Sequence, residues 1–504
     1  MSAASPIARD TNRPAKISIL RRIFSFPVVI ASALAVLAVL TVRDRFNDPD
    51  MWWHLKAGEV IWTTHSIPTT DLFSFTTNHH AIVPQEWLSE ALIYGAYKLG
   101  GYSGMMLWLC LFTTLLVVAG YALCCFYSGN AKISFLGALI VWFFSTGGLV
   151  VRPQMISYVL LVLELLVVYL GYARNQRWFF LLPPLFVLWV NCHGSFFLGL
   201  VVLGVLWICS FFGFEHGGLV SVRWDVSTRR TLMIAMLLSA AATFVNPAGV
   251  KQVLYPLDTM LHQPLVTSQI DEWKPLVMSD PRGPALLGVL ALVFLCLIVR
   301  RSERLYLHEL LLLAMSAWFA LSHRRMSFAF GIFAAPVVSR LLADAWDKYE
   351  PEKDRAVPNA VFIALAALAA FFAFPSRAAL AKEVDKGNPV KAVEYIRSHH
   401  LSGNMLNSYV YGGYMIWAMP EHPVFIDGRS DLYEWAGVFR QYGEWATLQD
   451  DPTKLLNKYN VKFCVIERDA PMAYVLPYLP GWKKVYSDDT SVIFVRSSDE
   501  SSSS

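Results

Sequence analysis

The sequence predicts a polytopic α-helical membrane protein of about eleven spans, followed by a small extracytoplasmic α/β domain. Three observations carry this. Apolar residues make up 55% of the 504 and charged residues only 16%, against roughly 25% charged in soluble chains, and mean hydropathy is +0.44. Apolar stretches long enough to cross a bilayer recur between residues 24 and 375. The last 129 residues (376–504) then turn to mixed charge with short β-branched runs. A water-soluble chain of this composition would expose large apolar patches. A net charge of +4, from 42 Lys and Arg against 38 Asp and Glu, makes no case for nucleic acid. The seven cysteines form no CxxC pair, which argues against a disulfide framework or a thiolate metal site.

Residues 1–23 are expected to form a cytoplasmic segment, basic at Arg9, Arg13, Lys16, Arg21 and Arg22. A membrane domain over 24–375 follows, with spans near 24–42, 104–127, 133–151, 155–173, 178–191, 195–213, 231–246, 284–300, 308–322, 327–343 and 359–375. A long outer loop, 43–103, separates the first two spans. With the N-terminus inside, 17 basic residues fall on six short cytoplasmic segments and ten on the longer outer segments before residue 376. This satisfies the positive-inside rule, and an odd number of spans puts the α/β domain, 376–496, outside. Within it "PVFID", "KFCVIE" and "SVIFVR" read as strands, with helices near 389–398, 432–447 and 452–459. The serine-rich end, 497–504, reads as disordered.

In this topology the unusual polar residues gather on the outer face. In "FNDPDMWWHLKAGEVI", Asp48 suits an N-cap, Pro49 the first helical position and Asp50 the helix dipole. The same two acids suit a place beside a phosphate, as base or as ligands of a divalent cation, Mg²⁺ or Mn²⁺. Glu86 opens a second amphipathic helix in "PQEWLSEALIY". Arg152 in "VRPQM" and Arg324 and Arg325 in "HRRMS" run against the charge bias and suit phosphate binding, or else snorkelling and pairing with loop acids. "WVNCHGSFF" brings His193 to an outer turn, and "IDEWKPL" brings Glu272. Glu164 lies mid-span, where an acid is costly, so it is either paired inside the bundle or on a proton path. Further on, "NSYVYGGYMIWAMPEHPVFIDGRSD" offers Tyr411 in an aromatic cluster beside a turn carrying Asp427 and Arg429. Transporters place such groups near the midplane, so a site at one interface suits chemistry on a lipid headgroup.

The order of a first span, an outer loop opening on an acidic motif, many spans and an outer α/β domain resembles the GT-C glycosyltransferases. "NDPDMWWHLKAGEVI" is similar to the first-loop motif of oligosaccharyltransferase catalytic subunits, the matched acid being Asp48. "NSYVYGGYMIW" resembles their Trp-Trp-Asp-Tyr-Gly segment, with Val410 where that segment carries Asp. Protein O-mannosyltransferases and lipid-A aminoarabinose transferases share the layout. The resemblance implies transfer of a sugar from a polyprenyl-phosphate-linked donor in the plasma membrane to an acceptor on the outer face. Asp48, with Asp50 or Glu86, would be the catalytic acid pair. Arg152, Arg324 and Arg325 would hold phosphate, with His193, Tyr411, Asp427 and Arg429 as further substrate contacts. The competing expectations are a lipid-linked glycan flippase, supported by Glu164, and a non-catalytic assembly protein.

Overall fold

The computed structural model describes residues 19–77, 79–300 and 302–497. Arg9, Arg13, Lys16 and the tail after 497 lie outside the described residues. The helices run in chain order as α1 (Ile19–Ile23), α2 (Phe26–Val42), α3 (Met51–Thr64), α4 (Trp87–Ser128), α5 (Ala131–Ser145), α6 (Gln154–Ala173), α7 (Leu182–Cys192) and α8 (Phe196–Cys209). Then follow α9 (Val226–Ala242), α10 (Val250–His262), α11 (Pro264–Gln269), α12 (Arg282–Val299), α13 (Leu307–Ser322), α14 (Ser327–Leu341) and α15 (Ala356–Ala373). Each apolar stretch expected to span overlaps one of these helices. Among the described residues six stretches are long and apolar enough to cross a membrane: 19–42, 87–128, 131–148, 154–173, 282–299 and 356–373. Helix α4 kinks at Gly101, where φ is 59°, so that its first part lies apart from its membrane-length part.

Burial separates the helices physically. Helix α14 is apolar but for Ser327, Ser339 and Arg340 and is almost wholly buried against α4, α5 and α13. Helix α15 is equally apolar yet has no buried residue, as a helix facing lipid should. Glu164 of α6 is fully buried, and neither carboxylate oxygen has a hydrogen-bond partner among the described residues. It is therefore not paired inside the bundle. A small three-stranded sheet, β1 (Phe214–His216), β2 (Leu219–Ser221) and β3 (Leu305–Tyr306), lies at the helix ends opposite the polar cluster.

The C-terminal part contains β4 (Asn404–Asn407), β5 (Val461–Glu467), β6 (Trp482–Ser487) and β7 (Ser491–Arg496), in the order β4-β5-β7-β6. β4 and β5 are parallel and the other pairs antiparallel. Helices α16 (Arg377–Gly387), α17 (Val390–Ser398), α18 (Tyr409–Ala418), α19 (Ser430–Trp435), α20 (Val438–Ala446) and α21 (Pro452–Lys458) surround this sheet. "PVFID" is not a strand of it. The Asn407 side chain accepts from Phe425 N and donates to Ile426 O, and Val424 makes a single bridge to Ser74. Its backbone groups are thus satisfied by a side chain and by the first loop rather than by a ladder. The aromatic run after β4 is helix α18, whose Tyr414 meets Trp52 of α3 edge to face at 5.1 Å.

Candidate functional site

The site begins at the turn before α3. Asp48 Oδ1 accepts the Asp50 backbone N–H at 3.0 Å, and α3 starts at Met51, later than a simple Asp48 cap would give. That turn holds both carboxylates toward Arg152, which stands just before α6. The guanidinium donates to Asp48 at 2.7 Å and Glu272 at 2.8 Å, and lies 3.1 Å from Asp50. Three carboxylates thus occupy the fork expected to hold phosphate. They overcome the burial that disfavours its charge and hold its pKa well above the ordinary arginine value. Burial, together with Asp48 and Glu272, raises Asp50 to about 7 against the pull of Arg152. Gly428 faces this acid: a Cβ there would stand 1.7 Å from Asp50 Oδ1.

A second cluster forms one turn along α3. Gly58 lies four residues beyond His54, on the same helical face. A Cβ at Gly58 would stand 2.2 Å from the Glu90 carbonyl oxygen, so glycine lets α3 touch the first turn of α4. His54 Nδ1 thereby comes 3.2 Å from Glu90 Oε1, and its Nε2 comes 3.9 Å from Glu86. The α7–α8 turn is tied to α4 by Trp87 Nε1–H donating to Asn191 at 2.7 Å and Ser89 Oγ–H to the Cys192 carbonyl at 2.8 Å. It delivers His193, with Nε2 3.5 Å from Glu86. Burial raises Glu86 to about 8, depresses His54 well below the ordinary imidazole value, and with Arg325 lowers His193 to about 3. His54, Glu86 and Glu90 each offer a ligand atom, all within 4.8 Å of one another, a group able to hold a metal ion.

The third cluster fastens the C-terminal part to the first loop. Arg429 grips Asp427 through two hydrogen bonds of 2.8 and 2.6 Å and reaches Asp71 at 2.5 Å. Tyr433 donates to Asp427 at 2.5 Å. Asp71 also accepts from Ser74 and Thr77, and these partners outweigh burial to hold it near 2. Close by, Tyr255 donates to Asp431, and Glu434 accepts the Leu265 and Val266 N–H groups at the start of α11.

These clusters wall one cavity of about 880 Å³. Its charged end carries Asp50, His54, Glu86, Glu90, Arg152 and Arg429, and its other walls are apolar, with Phe197, Leu198, Val201, Leu257, Met260 and Phe319. His193 and Arg325 also line it. Arg325 stacks its guanidinium 4.5 Å from the Trp273 ring centroid and has no carboxylate within ion-pair distance among the described residues. Arg324 turns to Asp271 at 3.4 Å and does not line the cavity. Asp48 stands behind Arg152, Asp427 is buried beneath Arg429, and Tyr411 opens on a separate cavity of about 390 Å³, its hydroxyl donating to the Thr490 carbonyl. Glu90 and Asp71 were not singled out from the sequence. The Glu86/Glu90 spacing of four and the Asp71-x-x-Ser74-x-x-Thr77 pattern were the available signals.

No protein-family model matches the chain, and no curated protein matches it in sequence. Solved structures do match in fold. The oligosaccharyltransferase of Archaeoglobus fulgidus, tethered to an acceptor peptide with an NVT sequon, superposes with TM-score 0.51 at 13% identity, over 95% of this chain and 75% of that one. AglB from the same organism, with an inhibitory peptide and a dolichol-phosphate, gives 0.52 at 13%, over 89% and 70%. ArnT of Cupriavidus metallidurans, bound to undecaprenyl phosphate, gives 0.50 at 13%, over 93% and 97%. The chain shares the fold of these oligosaccharyltransferase and ArnT structures.

Proposed function

We propose that this protein is a membrane glycosyltransferase that moves a sugar from a polyprenyl-phosphate-linked donor to an acceptor nucleophile at the extracytoplasmic face. The observation that carries this reading is the amphipathic cavity, in which the guanidinium of Arg325, paired with no carboxylate among the described residues, shares a space with acids and an apolar wall. The neighbours AglB and ArnT hold polyprenyl phosphates in the same fold. The prenyl chain would lie along the apolar wall, and Arg325 would hold the phosphate through charge-assisted hydrogen bonds. The acceptor attacks the anomeric carbon as its bond to the phosphate oxygen breaks. The departing phosphate carries the electron pair, and Arg325 stabilises its charge. Asp50, whose carboxyl titrates near 7, accepts the acceptor's proton. Asp48, Arg152 and Glu272 hold Asp50 in place. Arg429 would bind the sugar or acceptor at the rim.

The experiment is Asp50→Asn in chain reconstituted into lipid, assayed for sugar transfer and for binding of undecaprenyl phosphate. Loss of transfer with binding retained supports the assignment, and unchanged transfer removes it. Glu164 favours a second reading, movement of a lipid-linked glycan across the bilayer, because its carboxyl is buried mid-span with no hydrogen-bond partner among the described residues. That reading requires Glu164→Gln to abolish function while Asp50→Asn does not.

A further inference from the structure

Every buried acid at the cavity but two has a dedicated partner. Asp48, Asp50 and Glu272 share Arg152. Asp71 and Asp427 share Arg429, and Asp431 accepts the Tyr255 hydroxyl. Glu86 and Glu90 have only imidazoles, with no Lys or Arg within ion-pair distance among the described residues. A buried carboxylate and a partly buried one without a positive partner are expensive, and the close approach at Gly58 brings them together with His54 rather than apart.

The distances suit a shared ion. Two ligands on a tetrahedral ion with bonds of about 2.0–2.1 Å stand about 3.3 Å apart. His54 Nδ1 lies 3.2 Å from Glu90 Oε1, and one ligand atom from each of His54, Glu86 and Glu90 lies within 4.8 Å of the others. His193 is better placed to orient than to ligate. Its Nδ1 accepts the Ser195 backbone N–H at 3.1 Å, so Nε2 carries the proton and points it at Glu86, 3.5 Å away. An imidazole N–H fixing a ligating carboxylate is a common outer-shell device. Both carboxylates and His54 line the cavity, so further coordination positions open toward it.

We propose that His54, Glu86 and Glu90 form a three-ligand site for a divalent transition cation, Zn²⁺ or Mn²⁺, with His193 orienting Glu86. One nitrogen and two carboxylates suit these ions better than Mg²⁺, which favours all-oxygen shells. Asp48 and Asp50, the pair the sequence suggested as ligands, already have a resident cation in Arg152. That the open positions meet the donor phosphate beside Arg325 rests on the transferase reading; the cation site itself does not.

The test is Mn²⁺ binding by electron paramagnetic resonance, and metal content by mass spectrometry, on full-length chain purified in nanodiscs. The site predicts one tightly bound ion per chain. Glu90→Gln and His54→Gln should each weaken it about tenfold or more, and Asp50→Asn should leave it unchanged. Monodispersity and thermal melting identify any variant that has not folded, and the other then decides. No stoichiometric binding by wild type, or wild-type affinity in both folded variants, overturns the site. Metal binding without any sugar transfer would uphold the site and remove the transferase reading. Transfer without metal binding would do the reverse.

Discussion

Arg325 sits over the Trp273 ring, its guanidinium carbon 4.5 Å from the centroid, while its chain neighbour Arg324 turns away to Asp271. Two adjacent arginines that read alike in sequence therefore meet different surroundings. The aromatic face steadies Arg325 by about 0.5–2 kcal/mol without using its hydrogen-bond donors, which stay available to an anion.

Arg325→Ala should weaken undecaprenyl phosphate binding by about 10- to 100-fold, matching the loss of charge-assisted hydrogen bonds of roughly 1.5–3 kcal/mol. Arg324→Ala should change it less than about twofold, as expected for an exposed pair. Titration calorimetry in nanodiscs measures both. Equal losses from the two variants would discard the distinction.

Sugar transfer should depend on pH through Asp50. The carboxyl is protonated below about 7 and cannot accept a proton; above about 7 it can. The rate should rise about tenfold per pH unit below the inflection and level off above it. Burial raises this value most, Arg152 opposes it, and Asp48 and Glu272 add to it, so Glu272→Gln should move the inflection to lower pH. A flat profile between pH 5.5 and 8.5 counts against Asp50 as base.

Arg152→Ala should destabilise the chain by about 3–5 kcal/mol, because it leaves three partly buried carboxylates without their cation. Arg152→Lys should recover only part, since an ammonium lacks the planar fork that meets three acids. Thermal melting in detergent reports the order wild type, Lys, Ala.

Asp71 is the latch of the first loop on the C-terminal part. Its native value near 2 lies below the unfolded value of about 3.9. The stabilisation, about 2 kcal/mol, is therefore present above pH 4 and lost as pH falls toward 2. Asp71→Asn should lower stability by about that amount at pH 7, and its difference from wild type should shrink below pH 4. A pH-independent difference would falsify the latch as an electrostatic one.

Gly428→Ala should push the Asp50 carboxylate aside, since the new methyl would begin 1.7 Å from Oδ1. A misplaced group of this kind costs about 10²-fold in rate, with overpacking of about 1–3 kcal/mol in stability. Kinetics and melting on one preparation separate the two effects.

Helix positions, the outer loop with its acids and the mixed-charge C-terminal part were legible in the chain, because hydropathy and charge are sums over neighbouring residues. The pairings were not. Arg152 reads equally as a phosphate ligand or as a partner of loop acids because nothing local shows that Asp48, Asp50 and Glu272 take up its fork; Asp48 alone is 104 residues away. Asp71 went unnoticed because its partner Arg429 is 358 residues distant. Glu90 carries no local signal of its partner, and only the contact at Gly58 sets His54 against it. A sequence lists which side chains can carry charge, but whether a buried charge is neutralised, shared or left for a ligand depends on which helix ends packing brings within a few ångströms, and only the folded chain decides that.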